Sequence, residues 1–166
     1  MCGIIGIQNN SEAAMLAYMG LYAQQHRGQE GAGIVSSDGV NLHRHMGQGL
    51  VSDVFSDSDV FDGLIGDSAI GHVRYSTTGN SDKKNVGPLT FNMGDYYLSI
   101  AHNGNLVNIE DLRVDLQEKG ALFQTSTDTE IIIHLIAREK GNNLAEKVER
   151  ALQKIEGAYS LLLLSP

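Results

Sequence analysis

The sequence opens with Met1-Cys2-Gly3-Ile4-Ile5-Gly6-Ile7, in which three isoleucines stand among small glycines. A short apolar run of this kind predicts a buried β-strand over residues 1–7. Cys2 is the only cysteine among the 166 residues. The strand therefore carries a lone thiol at its amino-terminal end, and the residues predicted to surround that thiol decide what chemistry it can do.

The segment after this strand has a helical pattern. Ser11 is a suitable N-cap, and the helix is expected to run to about Gln25. Apolar side chains recur at i, i+3, i+4 and i+7, so that one face of the helix is apolar: Met15, Tyr18, Met19 and Tyr22. A polar loop over residues 25–31 leads into the next strand.

Further strands are predicted mainly as hairpins. Asp38-Gly39 is a favourable turn between strands at 32–36 and 40–45, and Gly94-Asp95 is the predicted turn of a hairpin over 89–102. A strand at 69–75 leads into a long polar loop over 76–87. Because helices otherwise occur in blocks, the pattern predicts an α+β fold with antiparallel sheets.

The last third of the sequence predicts three helices and a strand. The first helix, at 109–119, is closed by Gly120, and the second runs from a capping box of Thr127 and Glu130 to about residue 140. An amphipathic helix at 144–155 ends at Gly157, before an apolar strand at 158–164. The chain stops directly after that strand, so we expect the domain to be incomplete at its C-terminal end.

Composition narrows the classes of function. The formal net charge is −8 and the twelve basic residues are scattered, which argues against nucleic acid as a partner. No apolar stretch is long enough to cross a bilayer, so no membrane association is expected. A single cysteine fits a reducing cytoplasm. One cysteine without clustered carboxylates argues against a metal site.

The position of Cys2 suggests a nucleophile. Removal of Met1 would leave Cys2 with a free α-amino group, whose reference pKa is about 8. That amine can accept the thiol proton without a separate histidine. Two alternatives stay open: a cysteine placed by accident in a buried strand, and a Cys–His pair with His26, His72 or His102.

A thiolate that attacks a carboxamide needs donors for the oxyanion that forms. Asn103-Gly104 could supply a side-chain amide and a backbone N–H at the end of an apolar strand. An Asn-Gly pair is also the commonest hairpin turn. A helix rather than a partner strand is predicted after it, which weakens the turn interpretation.

Two charged residues could bind an amino-acid substrate. Arg74 ends a strand next to a polar loop, where its planar guanidinium group could bind a carboxylate through two N–H donors. Asp128 lies in the first turn of a predicted helix and could accept an ammonium group. Acidic residues also favour that position because of the helix dipole alone.

The amino-terminal block resembles the start of class II glutamine amidotransferases, in which the mature chain begins with the catalytic cysteine. Four further blocks are similar to the amidophosphoribosyltransferase branch of that family, and they follow in the same order over essentially the whole chain: His26-Arg27-Gly28-Gln29-Glu30, Gly71-His72-Val73-Arg74-Tyr75-Ser76-Thr77, Ala101-His102-Asn103-Gly104-Asn105-Leu106 and Ser126-Thr127-Asp128-Thr129-Glu130.

The resemblance implies an N-terminal nucleophile hydrolase fold, an αββα sandwich of two antiparallel sheets between helical layers, here truncated. It also implies a role for seven residues in glutamine hydrolysis. The catalytic residues would be Cys2 as nucleophile with Asn103 and Gly104 as the oxyanion hole, and the substrate-binding residues would be Arg74 for the α-carboxylate, Asp128 for the α-ammonium, Arg27 and Thr77.

The resemblance further implies a C-terminal phosphoribosyltransferase domain that lies outside residues 1–166. In the family that domain binds Mg²⁺ and phosphoribosyl pyrophosphate and uses the ammonia to form 5-phosphoribosylamine, the first step of de novo purine synthesis. The full-length protein would be a cytoplasmic homo-oligomer. An iron–sulfur cluster bound by cysteines further along the chain stays open, and no cofactor is expected within this segment.

Two other functions stay open from the sequence. One is the glutaminase domain of another class II amidotransferase, such as the aminosugar-forming glucosamine-6-phosphate synthase. That branch usually has Arg-Gly-Tyr in place of Arg27-Gly28-Gln29, and Arg-Trp-Ala in place of Arg74-Tyr75-Ser76. The other is a regulatory module that is inactive because Met1 stays on Cys2.

Overall fold

The computed structural model describes residues 2–75 and 83–166. Within these ranges the chain forms seven strands and five α-helices. The strands are β1 Gly3–Ile7, β2 Gly31–Ser37, β3 Leu42–Gln48, β4 Ser68–Arg74, β5 Leu89–Asn92, β6 Tyr97–Leu106 and β7 Gly157–Leu164. The helices are α1 Ala13–Ala23, α2 Val51–Val54, α3 Ile109–Glu118, α4 Asp128–Arg138 and α5 Leu144–Leu152, with 3-10 turns at Gln25–Arg27, Ser58–Gly63 and Lys83–Asn85.

The strands form two sheets. The first has the order β1-β4-β2-β3, and every neighbouring pair in it is antiparallel. The second has the order β5-β6-β7, with β5 antiparallel to β6. The α+β class predicted from the sequence is therefore confirmed, as are both predicted hairpins. Gly39 and Gly94 at their turns have φ of +86° and +100°, which glycine adopts without strain.

The chain divides into two compact units, one of residues up to 103 together with 160–166, the other of residues 104–159. The first unit contains the four-stranded sheet, β5, α1 and α2. The second contains α3, α4 and α5, with α4 in contact with both of the other helices. None of the helices in the described ranges is long and apolar enough to cross a membrane.

Helix α1 covers the four-stranded sheet with small side chains. Its buried residues are Ala13, Ala14, Ala17 and Leu21. A Cβ atom on Gly20 would overlap the side chain of Ile5 on β1. The helix axis can lie close to the sheet because these residues are small.

The apolar face predicted for α1 is not the face that is buried. Met15, Met19 and Tyr22 are 39%, 58% and 58% exposed, and only Tyr18 of that set packs against the core, beside Phe55 and Phe61. Spacing identifies the large apolar residues of a helix, whereas close packing against the sheet selected alanine and glycine. The predicted Ser11 cap is also wrong, since Glu12 occupies the N-cap position and no side chain caps the helix there.

Within the first unit the two sheets pack face to face. Val35 of β2 and Ile70 of β4 are buried against Ala101 of β6. Two leucines of β7, Leu162 and Leu164, pack against the same cluster. This contact fixes β6 over the sheet that begins with the Cys2 strand.

The capping box predicted at the start of α4 is not formed. Thr127 is the N-cap residue but makes no side-chain cap hydrogen bond. The Glu130 carboxylate instead accepts hydrogen bonds from the backbone N–H groups of Gln124 and Thr125 at 2.8 and 2.6 Å. The Thr125 hydroxyl donates to it as well, at 2.7 Å. Glu130 is 1% exposed, so its charge depends on these three donors.

Replacing Glu130 by Gln should destabilise the protein, because an amide NH₂ group would then face N–H donors in a buried site. The expected loss of unfolding free energy is about 1–3 kcal/mol. Urea unfolding checks the prediction, with Glu118→Gln as the control because Glu118 is exposed on α3. Equal stability of the two variants would contradict the role of Glu130.

Candidate active site

The pairing of β1 with β4 sets the position of Cys2. Gly3 is opposite Val73 in this antiparallel pair, so Cys2 lies beside the last residue of β4. The Cys2 Sγ donates to the carbonyl oxygen of Tyr75 at 3.7 Å, and Cys2 is half-buried. The thiol therefore lies at the end of the four-stranded sheet, where β4 leaves it.

Arg27 contacts the same end of the sheet from the loop before β2. Its Nε donates to the carbonyl oxygen of Cys2 at 3.1 Å. Gln25 holds this loop, because its side-chain amide donates to the Gly28 carbonyl at 2.5 Å and accepts from the Val51 N–H at 2.7 Å. Arg27 thus places a positive charge next to the backbone of the candidate nucleophile.

Gly28 lies so close to β4 that no side chain fits there. A Cβ atom on Gly28 would be 2.6 Å from the carbonyl carbon and oxygen of Arg74. The neighbouring backbone bond from the Glu30 N–H to the Arg74 carbonyl, at 3.2 Å, keeps the loop against the strand. The loop and Arg74 therefore form one packed element beside Cys2.

Arg74 is held by two groups that the sequence did not assign to the site. Its Nη1 donates to the carbonyl oxygen of Asn85 at 3.0 Å, and its Nε lies 3.9 Å from the Glu30 carboxylate. The side chain is 15% exposed. Neither residue could be assigned without the register, which pairs Gly31, the neighbour of Glu30, with Arg74.

His72 shares a strand face with Arg74, as predicted, and is buried in the first unit. Burial, and secondly the positive charge of Arg74, lower the pKa of His72 to about 4. The imidazole is therefore neutral at pH 7. In the β1–β4 register His72 is opposite Ile4 rather than Cys2, which gives no support to the Cys–His alternative for this histidine.

Asn103 and Gly104 lie inside β6 and not in a turn, so the hairpin-turn alternative is wrong. The strand continues to Leu106 because β7 covers it. In the second unit a Cβ atom on Gly104 would be 2.5 Å from the Tyr159 Cα of β7. Only glycine fits at that position, and Asn103 before it is half-buried.

Asp128 is the first residue of α4, as expected, and is half-buried. Its Oδ2 accepts a hydrogen bond from the Leu106 N–H at 3.4 Å. Leu106 is two residues beyond Gly104 on β6, which corresponds to about 7 Å along a strand. The candidate oxyanion donor and the candidate ammonium acceptor are therefore neighbours within the second unit.

The candidate residues thus fall into two groups, one in each unit. Cys2, Arg27 and Arg74 come together in the first unit, and Gly104 and Asp128 in the second. Thr77 lies within residues 76–82, outside the described residues. In the described ranges no group of three or more histidine, cysteine, aspartate or glutamate side chains could hold a metal ion.

Comparisons with known proteins agree on one family. Residues 72–166 match the model of a glutamine amidotransferase domain. The chain is 44% identical to an amidophosphoribosyltransferase of Lacticaseibacillus casei over 99% of its own length and 84% of the relative. It is 51% identical to the chloroplastic amidophosphoribosyltransferase 2 of Arabidopsis thaliana, again over 99% of its length but only 29% of that relative.

Among solved structures, the chain superposes with a TM-score of 0.92 on glutamine phosphoribosylpyrophosphate amidotransferase from B. subtilis complexed with ADP and GMP. The two are 43% identical, over 99% of this chain and 35% of that one. The fold is accordingly the N-terminal nucleophile hydrolase fold expected from the sequence. The chain belongs to the amidophosphoribosyltransferase family, as a glutamine amidotransferase domain.

The buried His72 predicts a pH dependence of stability. Its pKa is about 4 in the folded protein and about 6.5 in an unfolded chain. Between these values the unfolded state binds more protons, so the free energy of unfolding falls as the pH decreases from about 6.5 to about 4. Between pH 7.5 and pH 5 the free energy of unfolding is expected to fall by about 2 kcal/mol.

Urea unfolding of His72→Gln at the two pH values checks this, because the variant should lose that part of the pH dependence. His26→Gln is the control, since His26 is exposed. A His72→Gln variant with the full pH dependence of the unaltered protein would show that another group is responsible.

Proposed function

We propose that this chain hydrolyses the side-chain amide of glutamine, with Cys2 as the nucleophile and ammonia and glutamate as products. The observation that carries the proposal is the position of Cys2 at one end of a sheet, next to the Arg74 backbone in the strand register and with its own carbonyl bound by Arg27, in a chain of this family. Cys2 provides a nucleophile, and the guanidinium groups of Arg74 and Arg27 are cations that attract a carboxylate.

The first step requires that Met1 has been removed. The α-amine of Cys2 then takes the thiol proton, directly or through a water molecule, because both groups belong to one residue. The Sγ thiolate attacks the amide carbon of glutamine and forms a bond to it. The negative charge moves to the amide oxygen.

The oxyanion would be stabilised by the Asn103 side-chain amide and the Gly104 N–H, two donors at adjacent positions of β6. When the carbon–nitrogen bond breaks, the α-ammonium of Cys2 returns its proton to the leaving nitrogen, and ammonia departs. Water then attacks the γ-glutamyl thioester, which releases glutamate and regenerates the thiol.

Substrate binding would use the two charged groups on the α-carbon of glutamine, at the opposite end from the amide that reacts. Arg74 is assigned to the α-carboxylate because its guanidinium has donors beyond the one bound to Asn85. Asp128 is assigned to the α-ammonium. Arg27 and Thr77 would complete the glutamine site, Arg27 from the side of the Cys2 carbonyl.

The chain spans about a third of the length of several relatives that it matches, so the activity of the whole protein is a separate proposal. In the full-length protein the ammonia would pass to a phosphoribosyltransferase domain that binds Mg²⁺ and phosphoribosyl pyrophosphate and forms 5-phosphoribosylamine. We place this homo-oligomeric enzyme in the cytoplasm.

Replacing Cys2 by Ala should abolish glutamine-dependent synthesis by the full-length enzyme while ammonia-dependent synthesis stays close to normal. Alanine removes the thiol but still allows removal of Met1. Glutamate release and product formation are measured with glutamine or ammonium salt as the nitrogen source. Glutamate release that persists at the normal rate in Cys2→Ala would refute Cys2 as nucleophile.

The oxyanion assignment predicts that Asn103→Ala lowers kcat for glutamine hydrolysis by about 10²-fold or more with a much smaller change in KM. Asn105→Ala is the matched control, because Asn105 lies on the same strand and is exposed. If the Asn103 variant turned over as fast as this control, Asn103 would have no part in the oxyanion hole.

A further inference from the structure

The segment that leads into α4 is held by a carboxylate on one side. The N–H groups of Gln124 and Thr125 and the Thr125 hydroxyl all point at Glu130, at 2.6–2.8 Å. Thr125 also receives the Thr127 N–H on its hydroxyl oxygen at 3.3 Å. These three donors are thus bound to the buried Glu130 carboxylate, which belongs to the helix that follows them.

Arg113 of α3 binds the carbonyls of the same segment. Its Nη1 donates to the Thr125 oxygen and its Nη2 to the Thr127 oxygen, both at 3.4 Å. The guanidinium carbon lies 4.2 Å from the centroid of the Phe123 ring, a cation–π contact that fixes the plane of the group. The planar guanidinium group therefore holds the carbonyls of Thr125 and Thr127 at the same time.

These contacts act on the residue directly before Asp128. Thr127 has an extended backbone and no side-chain cap, so its carbonyl bond to Arg113 helps to fix where α4 begins. The Asp128 carboxylate accepts a hydrogen bond from the Leu106 N–H at 3.4 Å, the same length as each of the two bonds from Arg113. The position of the Asp128 carboxylate thus depends on the backbone that Arg113 holds as well as on its own hydrogen bond.

We propose that Arg113 is a positioning residue for Asp128, through which it sets the affinity for the α-ammonium of an amino-acid substrate. The inference rests on the proposed glutaminase function and on the assignment of Asp128 within it. It adds a residue outside the candidate set, on a helix that the sequence connected with no function. Arg113 touches no reacting atom in this scheme.

The test is a double-mutant cycle on glutamine hydrolysis by the full-length enzyme. Arg113→Met keeps an apolar side chain over Phe123 but removes both donors, and Asp128→Asn removes the negative charge. Each change should raise KM for glutamine on the order of 10-fold while kcat changes less than about 2-fold. Because Arg113 acts through Asp128, the double variant should have the KM of Asp128→Asn alone.

Two variants separate positioning from general stabilisation. Arg150→Met is the matched control, since Arg150 also donates to a backbone carbonyl, that of Lys140 at 2.7 Å, and it should leave KM unchanged. Arg113→Lys keeps the positive charge but lacks the planar guanidinium group, so its KM should lie between those of the unaltered enzyme and Arg113→Met. This variant preserves the test if Arg113→Met does not fold. A purely structural role would lower the amount of active enzyme without a rise in KM.

The possible outcomes distinguish the inference from the function on which it rests. A raised KM in Asp128→Asn but not in the Arg113 variants would overturn the inference and leave the role of Asp128 standing. Additive effects in the double variant would also overturn it, because Arg113 would then act independently. An unchanged KM in Asp128→Asn would refute both, and absence of glutaminase activity in the unaltered enzyme would refute the proposed function.

Discussion

The antiparallel pairing of β1 with β4 is the constraint on which the candidate site depends. With Gly3 opposite Val73, Cys2 lies beside Arg74 and its thiol reaches the Tyr75 carbonyl. A shift of this register by one residue would turn every side chain of β1 to the other face of the sheet. The partly buried isoleucines of the first strand, which pack against the two core clusters, thus help to determine which residues surround the thiol.

Glycine enables a close approach of two backbones in each unit. Gly28 lets the loop that carries Arg27 lie directly on the Arg74 backbone, and Gly104 does the same where β6 passes β7. Any larger residue would push these backbones apart, and the candidate side chains would move with them. Both glycines therefore lie where two backbones are in contact rather than where a turn requires a positive φ.

The sequence predicted the elements well and the contacts between them poorly. Hairpin turns at Gly39 and Gly94 have a local cause, a glycine at positive φ, and both were found. The buried face of α1 is set by the neighbouring sheet, and the predicted capping box of Thr127 and Glu130 was wrong because the Glu130 carboxylate binds the N–H groups of Gln124 and Thr125. The face of a helix that becomes buried is the one whose residues let the helix approach the sheet. The spacing of apolar residues alone does not identify that face.

The same limit applies to the site. Cys2 and Arg74 were identifiable as candidates because of their chemistry and their place at predicted strand ends, and the register brings them together. Glu30 and Asn85 were not identifiable, since they reach Arg74 only through the strand pairing and a backbone carbonyl. Arg113 was missed for a similar reason, because its targets are backbone carbonyls outside its own helix, 12 and 14 residues further along.

The central claim is that the first strand presents a terminal thiol to the amide carbon of glutamine. It is tested most directly by treating the full-length protein with a glutamine analogue that has a diazoketone in place of the amide, followed by mass mapping of the peptides. The expected result is one analogue per chain, bonded to the Sγ of Cys2 in a peptide that lacks Met1. An analogue attached to any other residue, or a fully processed Cys2 that stays unlabelled, would contradict the claim.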